Sequence, residues 1–151
     1  MLFRSLFPYV LTERYLDLHP IYALSYNPNS VPFIPLMARL GISLGRFDEE
    51  DERGGLIVGG DNVLRGLCCV DRSRRGGSDG GGGGRRKKRD DTCERRRVVD
   101  ERRCEALARL REMGLSKKRD VQNYDLIRIL CNERAFPEQS RLRYLINWDP
   151  S

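Results

Sequence analysis

The sequence predicts an all-α chain in which helical hairpins are interrupted by a disordered Gly/Arg-rich insert. Three observations carry this. Apolar residues recur at helical spacing from Leu107 to Ile146, glycine dominates residues 76–84, and only Leu56-Ile-Val58 reads as a strand. The expected divisions are 1–30, with traits of a weak transit peptide; 31–72, a first helical region; 73–103, the insert; and 104–147, a second helical region.

Taken in order, the N-terminus sets Arg4 and Arg14 among apolar residues, as an import signal does, although Glu13 and Asp17 depart from that pattern. Pro8, Pro20 and Pro28 limit any helix there to a short one, Leu11 to Leu18. A helix is expected to start at Pro35, run through Leu40 and weaken at Gly41. After the acidic run Asp48 to Glu52, paired glycines bracket the short strand, and Asn62 to Cys69 is helical in character. From Ser73 to Arg103 the chain offers too little apolar surface to offset the entropy of ordering it, so disorder is expected, at least through Asp91. A helix from about 100 to 113 places Leu107, Leu110 and Met113 on one face, with Gly114 as its C′ residue. A second, capped by Asp120 or Asn123, carries Leu126, Ile127, Leu130 and Cys131. A third has Pro137 in its first turn, carries Leu142, Leu145 and Ile146 inward, and stops at Trp148-Asp-Pro150.

Composition narrows the function. At 151 residues, 39% hydrophobic and 33% charged, the core is small for the length, and a compact enzyme is not the first expectation. The net charge of +6 is uneven: residues 72–103 hold thirteen Arg/Lys against six Asp/Glu, a net of +7, so the rest sums to −1. The five cysteines show no repeated spacing and read as reduced thiols. Cys93 and Cys104 lack a CxxC partner, and adjacent Cys68 and Cys69 suit one metal ion poorly. The sole histidine, His19, has no paired nucleophile, and no glycine loop leads from a strand into a helix. Neither catalysis nor any metal, cofactor, small-molecule substrate or membrane span is expected.

Read together, the helices resemble a known repeat. Glu105-Ala-Leu107, Arg111-Glu-Met113-Gly114, Asp120-Val121, Leu126-Ile127, Leu130-Cys131 and Phe136-Pro-Glu138 keep the order of the pentatricopeptide repeat, most like the restorer-of-fertility group of plants. Asn62-Val-Leu-Arg-Gly-Leu-Cys68 looks like a second copy of the opening helix, and Gly45-Arg-Phe-Asp-Glu49 is similar to the turn between a repeat's two helices. Cys68 and Cys131 are 63 residues apart where one repeat takes about 35, and the excess matches the insert. There are departures: Lys118-Arg119 precede Asp120 where the family has Pro, and Asn123-Tyr124 reverses the usual Tyr-Asn.

The resemblance implies a degenerate or truncated α-solenoid fragment that binds single-stranded RNA, with base readout by two or three side chains per repeat. Carried over, these are Asp120 with Asn123, Tyr124 or Asp125, and Asn62 in the earlier copy. It further implies organellar RNA processing, editing or translation alongside other processing proteins, in the mitochondrion first, with plastid or nucleus as alternatives. The run Arg85, Arg86, Lys87, Lys88, Arg89 is a phosphate-contact or nuclear-import candidate. A helical protein-interaction module and a nuclear basic adaptor are the rival readings.

Overall fold

A computed structural model describes residues 20–58, 61–69, 85–132 and 139–150, with the helical path alone for 85–93. The expected helix at Leu11 to Leu18, the transit-peptide traits and the glycine run of the insert lie outside these residues.

Pro20 opens helix α1 (Pro20–Tyr26), where its missing N–H costs nothing. The chain then turns, with Asn27 Oδ1 accepting from the Asn29 N–H at 3.0 Å, and enters a 3-10 turn at Val31–Phe33 and helix α2 (Ile34–Ser43). Ile34, Ala38 and Gly41 recur at helical spacing on the buried face of α2. The helix runs past Gly41 to Ser43. A Cβ at Gly41 would stand 2.8 Å from the Phe47 ring and 3.2 Å from the Gly54 carbonyl oxygen, so glycine is needed for close approach. The helix ends instead at Gly45, whose φ of 62° is left-handed. Gly45 to Glu49 therefore leave α2 toward the next hairpin, and do not form a turn within one.

Arg53, Gly54 and Gly55 all have positive φ and lay a 3-10 turn against α2. Two-residue strands β1 (Ile57–Val58) and β2 (Asp61–Asn62) then pair antiparallel, Ile57 opposite Asn62. Helix α3 (Val63–Cys68) buries Val63, Leu64, Gly66, Leu67 and Cys68. Only Arg65 in it is exposed.

Helix α4 (Arg85–Glu112) corrects the extent of the insert. Residues 85–103, expected to be disordered, lie in a 28-residue helix about 42 Å long. The segment's glycines stop at Gly84, and from Arg85 to Arg103 the chain contains neither Gly nor Pro and is rich in Arg, Lys and Glu, which are good helix formers. Arg97 adds a salt bridge to Glu94 at 2.8 Å, and further along Asp100 and Arg103 are buried by other helices. Gly114, with φ of 74°, closes α4 as expected, and the Leu115 and Ser116 N–H groups donate to Leu110 O at 2.9 and 3.1 Å.

Where one helix was expected next there are two, α5 (Lys118–Asn123) and α6 (Leu126–Asn132), separated at Asp125 with φ of 52°. Helix α7 (Gln139–Trp148) completes the fold. Leu126, Leu130 and Leu145 are fully buried, but Cys131 and Ile146, both assigned to the inner face, are exposed. Inward positions on α6 and α7 recur four residues apart, and each of these residues sits one step round from that line.

The packing keeps to chain order. Helices pair as α1 with α2, α3 with α4, and α6 with α7; across the pairs, α1 packs on α3 and α3 on α6, while α2 packs on α4 and α4 on α7. Among the described residues, no comparable packing joins the first pair to the third. The fold is all-α, with one minimal β-hairpin among the described residues.

Candidate nucleic-acid interface

The residues carried over from the repeat pattern separate into spent and accessible groups. Asp120 is fully buried at the start of α5, and its Oδ2 accepts from Arg53 Nη1 at 2.5 Å and from the Lys117 N–H at 2.6 Å. Its role is structural: it satisfies an orphan donor at a helix start and neutralises a buried guanidinium. Asn62 is likewise corrected. It caps α3, its Oδ1 accepting from the Arg65 N–H at 3.1 Å, and is 8% exposed.

Asn123 and Asp125 are exposed where α5 meets α6, with Tyr124 half-buried between them. Asp125 lies 3.9 Å from Arg128, an open pair that a ligand can displace.

Because α3 is flanked by α1 and α6 and backed by α4, its one exposed side chain, Arg65, points out of the row. On α1, Tyr22 and Tyr26 meet edge to face with centroids 5.1 Å apart, their hydroxyls 2.5 Å from each other. The Tyr22 ring reaches the seam with α3, 3.7 Å from where a Gly66 Cβ would stand. On α6, Arg128 projects opposite Leu126 and Leu130. The helices α1, α3 and α6 thus carry two aromatic rings and two exposed guanidiniums, the groups that stack on bases and pair with phosphates.

The second positive feature is the first half of α4. Arg95, Arg96 and Arg97 are exposed, and Arg85, Arg86, Lys87, Lys88 and Arg89 occupy the first two turns. Residues 85–97 hold eight basic and three acidic residues, a net of +5. Arg102 is engaged with Asn29 Oδ1 at 2.9 Å.

Sequence reasoning missed the buried guanidiniums. Arg141 Nε donates to Asp100 Oδ1 at 2.6 Å, and its Nη1 donates to Leu67 O. Arg103 donates to Cys69 O and, at 3.5 Å, to Ser25 O. Together they cap the C-terminal ends of α3 and α1, where carbonyls lack partners. Arg103 stands in a run of arginines with nothing local to set it apart. Arg111 lies 5.0 Å over the Trp148 ring, so that cation is used in packing α4 to α7.

Cys68 and Cys104 are poor nucleophiles. Burial pushes Cys68 up to about 12, and Cys104 is raised by burial and then by Asp100. Among the described residues no three His, Cys, Asp or Glu side chains converge to hold a metal ion, and no helix is long and apolar enough to cross a membrane. Compared with protein-family models, with curated proteins and with solved structures, the chain has no significant match.

Proposed function

We propose that this chain is a short α-solenoid that binds single-stranded RNA without catalysis. The observation that carries the reading is the order of packing: three helical pairs whose main contacts, among the described residues, fall between successive pairs. That is the arrangement by which hairpin repeats bury faces they cannot bury alone, and three is about the usual minimum. It is also what the pentatricopeptide resemblance implies, with α3 and α6 as first helices and α4 and α7 as second helices of consecutive repeats.

In this reading the RNA lies along the row α1–α3–α6. Tyr22 and Tyr26 supply stacking, Arg65 and Arg128 contact phosphates, and Asn123, Tyr124 and Asp125 supply base discrimination. Organellar RNA and other processing proteins, in the mitochondrion first, are the partners that the resemblance adds.

A second reading is favoured by the exposed Arg95 to Arg97 and by the burial of Asp120 and Asn62. Here the basic half of α4 binds any nucleic-acid backbone. Fluorescence anisotropy with single-stranded RNA oligomers over a salt series separates the two. Replacing Arg95, Arg96 and Arg97 with Ala should weaken binding to every RNA and flatten the salt slope by about 2, at ~0.7 per phosphate contact on single strands. Arg65→Ala with Tyr22→Ala should abolish preference for single strands over duplex, and Asn123→Ala should change base preference with little effect on slope. If all RNAs bind alike and the row variants are silent, the solenoid reading loses its function. No binding even at low salt sinks both.

A further inference from the structure

Helix α2 and the end of α4 enclose a surface groove of about 400 Å³. Its apolar lining is Ile42 from α2 with Met113 and Leu115 from the turn that closes α4, and its charged lining is Arg39, Glu49 and Glu112. Glu49 belongs to the acidic run Asp48 to Glu52, a net of −5 over five residues. That run is held as a compact turn: Asp48 Oδ1 accepts from the Glu50 and Asp51 N–H groups at 2.6 and 2.8 Å, and Glu52 Oε2 accepts from the Asp48 N–H at 3.0 Å. The backbone N–H groups of Asp51 and Glu50 hold the Asp48 carboxyl below its usual range, so it stays charged. An apolar groove edged by carboxylates suits a side chain with an apolar stem and a cationic head.

We propose that the occupant is the basic half of α4 of a second copy, entering through Arg95, Arg96 and Arg97, so that copies associate head to tail. These three arginines are exposed. Each presents what the groove fits, an apolar stem for Met113 and Leu115 and a guanidinium for Glu49 and Glu112. The same three arginines of one copy do not reach its own groove. Arg97 and Glu112 lie fifteen residues apart on one continuous helix, about 22 Å, and α4 holds them at that separation. A rod that is cationic towards one end and has an acid-edged groove at the other is complementary to the next copy in line. The net charge of +6 does not forbid this, because at physiological salt charges more than about 8 Å apart are largely screened and the opposed patches decide. The contact joins two different patches, so each added copy offers one groove and one basic end to the next until a ring closes. The inference does not depend on RNA binding, and its test uses none.

Sedimentation velocity of the full chain, freed of nucleic acid by nuclease and high-salt chromatography, decides it. The weight-average mass should rise with concentration and fall as salt is raised from about 0.05 to about 0.5 M. Glu49→Arg with Glu112→Arg should weaken association roughly tenfold or more, and so should Arg95→Glu with Arg96→Glu, which leaves the Arg97 pairs in place. All four positions are exposed, so both variants should keep their helical circular dichroism. Mixed one to one, the two variants should associate again, because each reversed patch then meets a reversed counterpart. If one variant fails to fold, the other decides by its own loss or retention of association. A natural chain that stays monomeric up to about 0.5 mM at the lower salt overturns the proposal. So does association that either folded variant retains in full, or that mixing two folded variants does not restore.

Discussion

Asp100 sits 3% exposed with Arg141 against one oxygen and the Ser140 N–H against the other, at 2.6 and 2.8 Å. Removing one partner of such a pair leaves the other charge buried and uncompensated. Asp100→Asn is therefore expected to cost about 3 kcal/mol in urea unfolding, and Arg141→Met at least as much because Leu67 O also loses its donor. A change under about 1 kcal/mol in both would mean the pair is hydrated. The cysteines give a second test at this scale. Cys131 is exposed and Cys68 fully buried, so a maleimide should label Cys131 in the folded chain and reach Cys68 only on unfolding. The raised pKa of Cys68 sets the sign of the pH effect. The folded state holds the thiol proton more tightly, so the contribution is intact below the ordinary 9 and is lost as pH rises toward about 12. Stability should fall over that window more steeply in the natural chain than in Cys68→Ala.

Between elements, a tight demand falls on Gly66. A Cβ there would lie far inside van der Waals contact with Ser25 Oγ across the α1–α3 seam. Gly66→Ala should destabilise by about 1–3 kcal/mol as overpacking, despite the better helix propensity of Ala. Ser25→Gly in the same chain should restore part of the loss, and a double-mutant cycle by thermal or urea unfolding measures how much. Additive effects would place the clash elsewhere. In the first half of α4 the described residues 94–97 are the opposite case: exposed, with Arg97 pairing to Glu94 and, at 3.9 Å, to Glu101. Surface pairs of this kind contribute little, so this half should open first in hydrogen exchange.

Across the molecule, nearest-neighbour packing makes the middle pair the keystone. Leu107 on α4 is fully buried, and α4 touches the helices on both sides of it. Leu107→Asp should therefore unfold all three pairs, whereas Leu145→Asp should open α7 and leave α1, α2 and α3 protected in hydrogen exchange. Loss of protection throughout in both variants would show a single cooperative core with no repeat-like partition.

The helices after residue 100 and their stops were largely legible in the sequence, whereas α1, the first half of α4 and the break between α5 and α6 were not. Periodicity marked Leu107, Leu110, Leu126, Leu130 and Leu145 as inward, Gly114 as a C′ residue and Trp148 as a stop, because spacing and turn chemistry act over a few residues. The glycine-poor half of the basic segment was misplaced, since composition alone does not register that residues 85–103 lack helix breakers and bury Asp100 and Arg103 against other helices. Of the candidate site residues, Asn123 and Asp125 are exposed, whereas Asp120 and Asn62 are consumed by Arg53 and by the α3 terminus, which the sequence did not make legible. Which charges are buried emerges only once the helices pack: Arg53 meets Asp120 across 67 residues and Arg141 meets Asp100 across 41. A guanidinium is read as solvent-facing until a carboxylate and a helix end from elsewhere in the chain arrive to satisfy it, and no local pattern records that arrival.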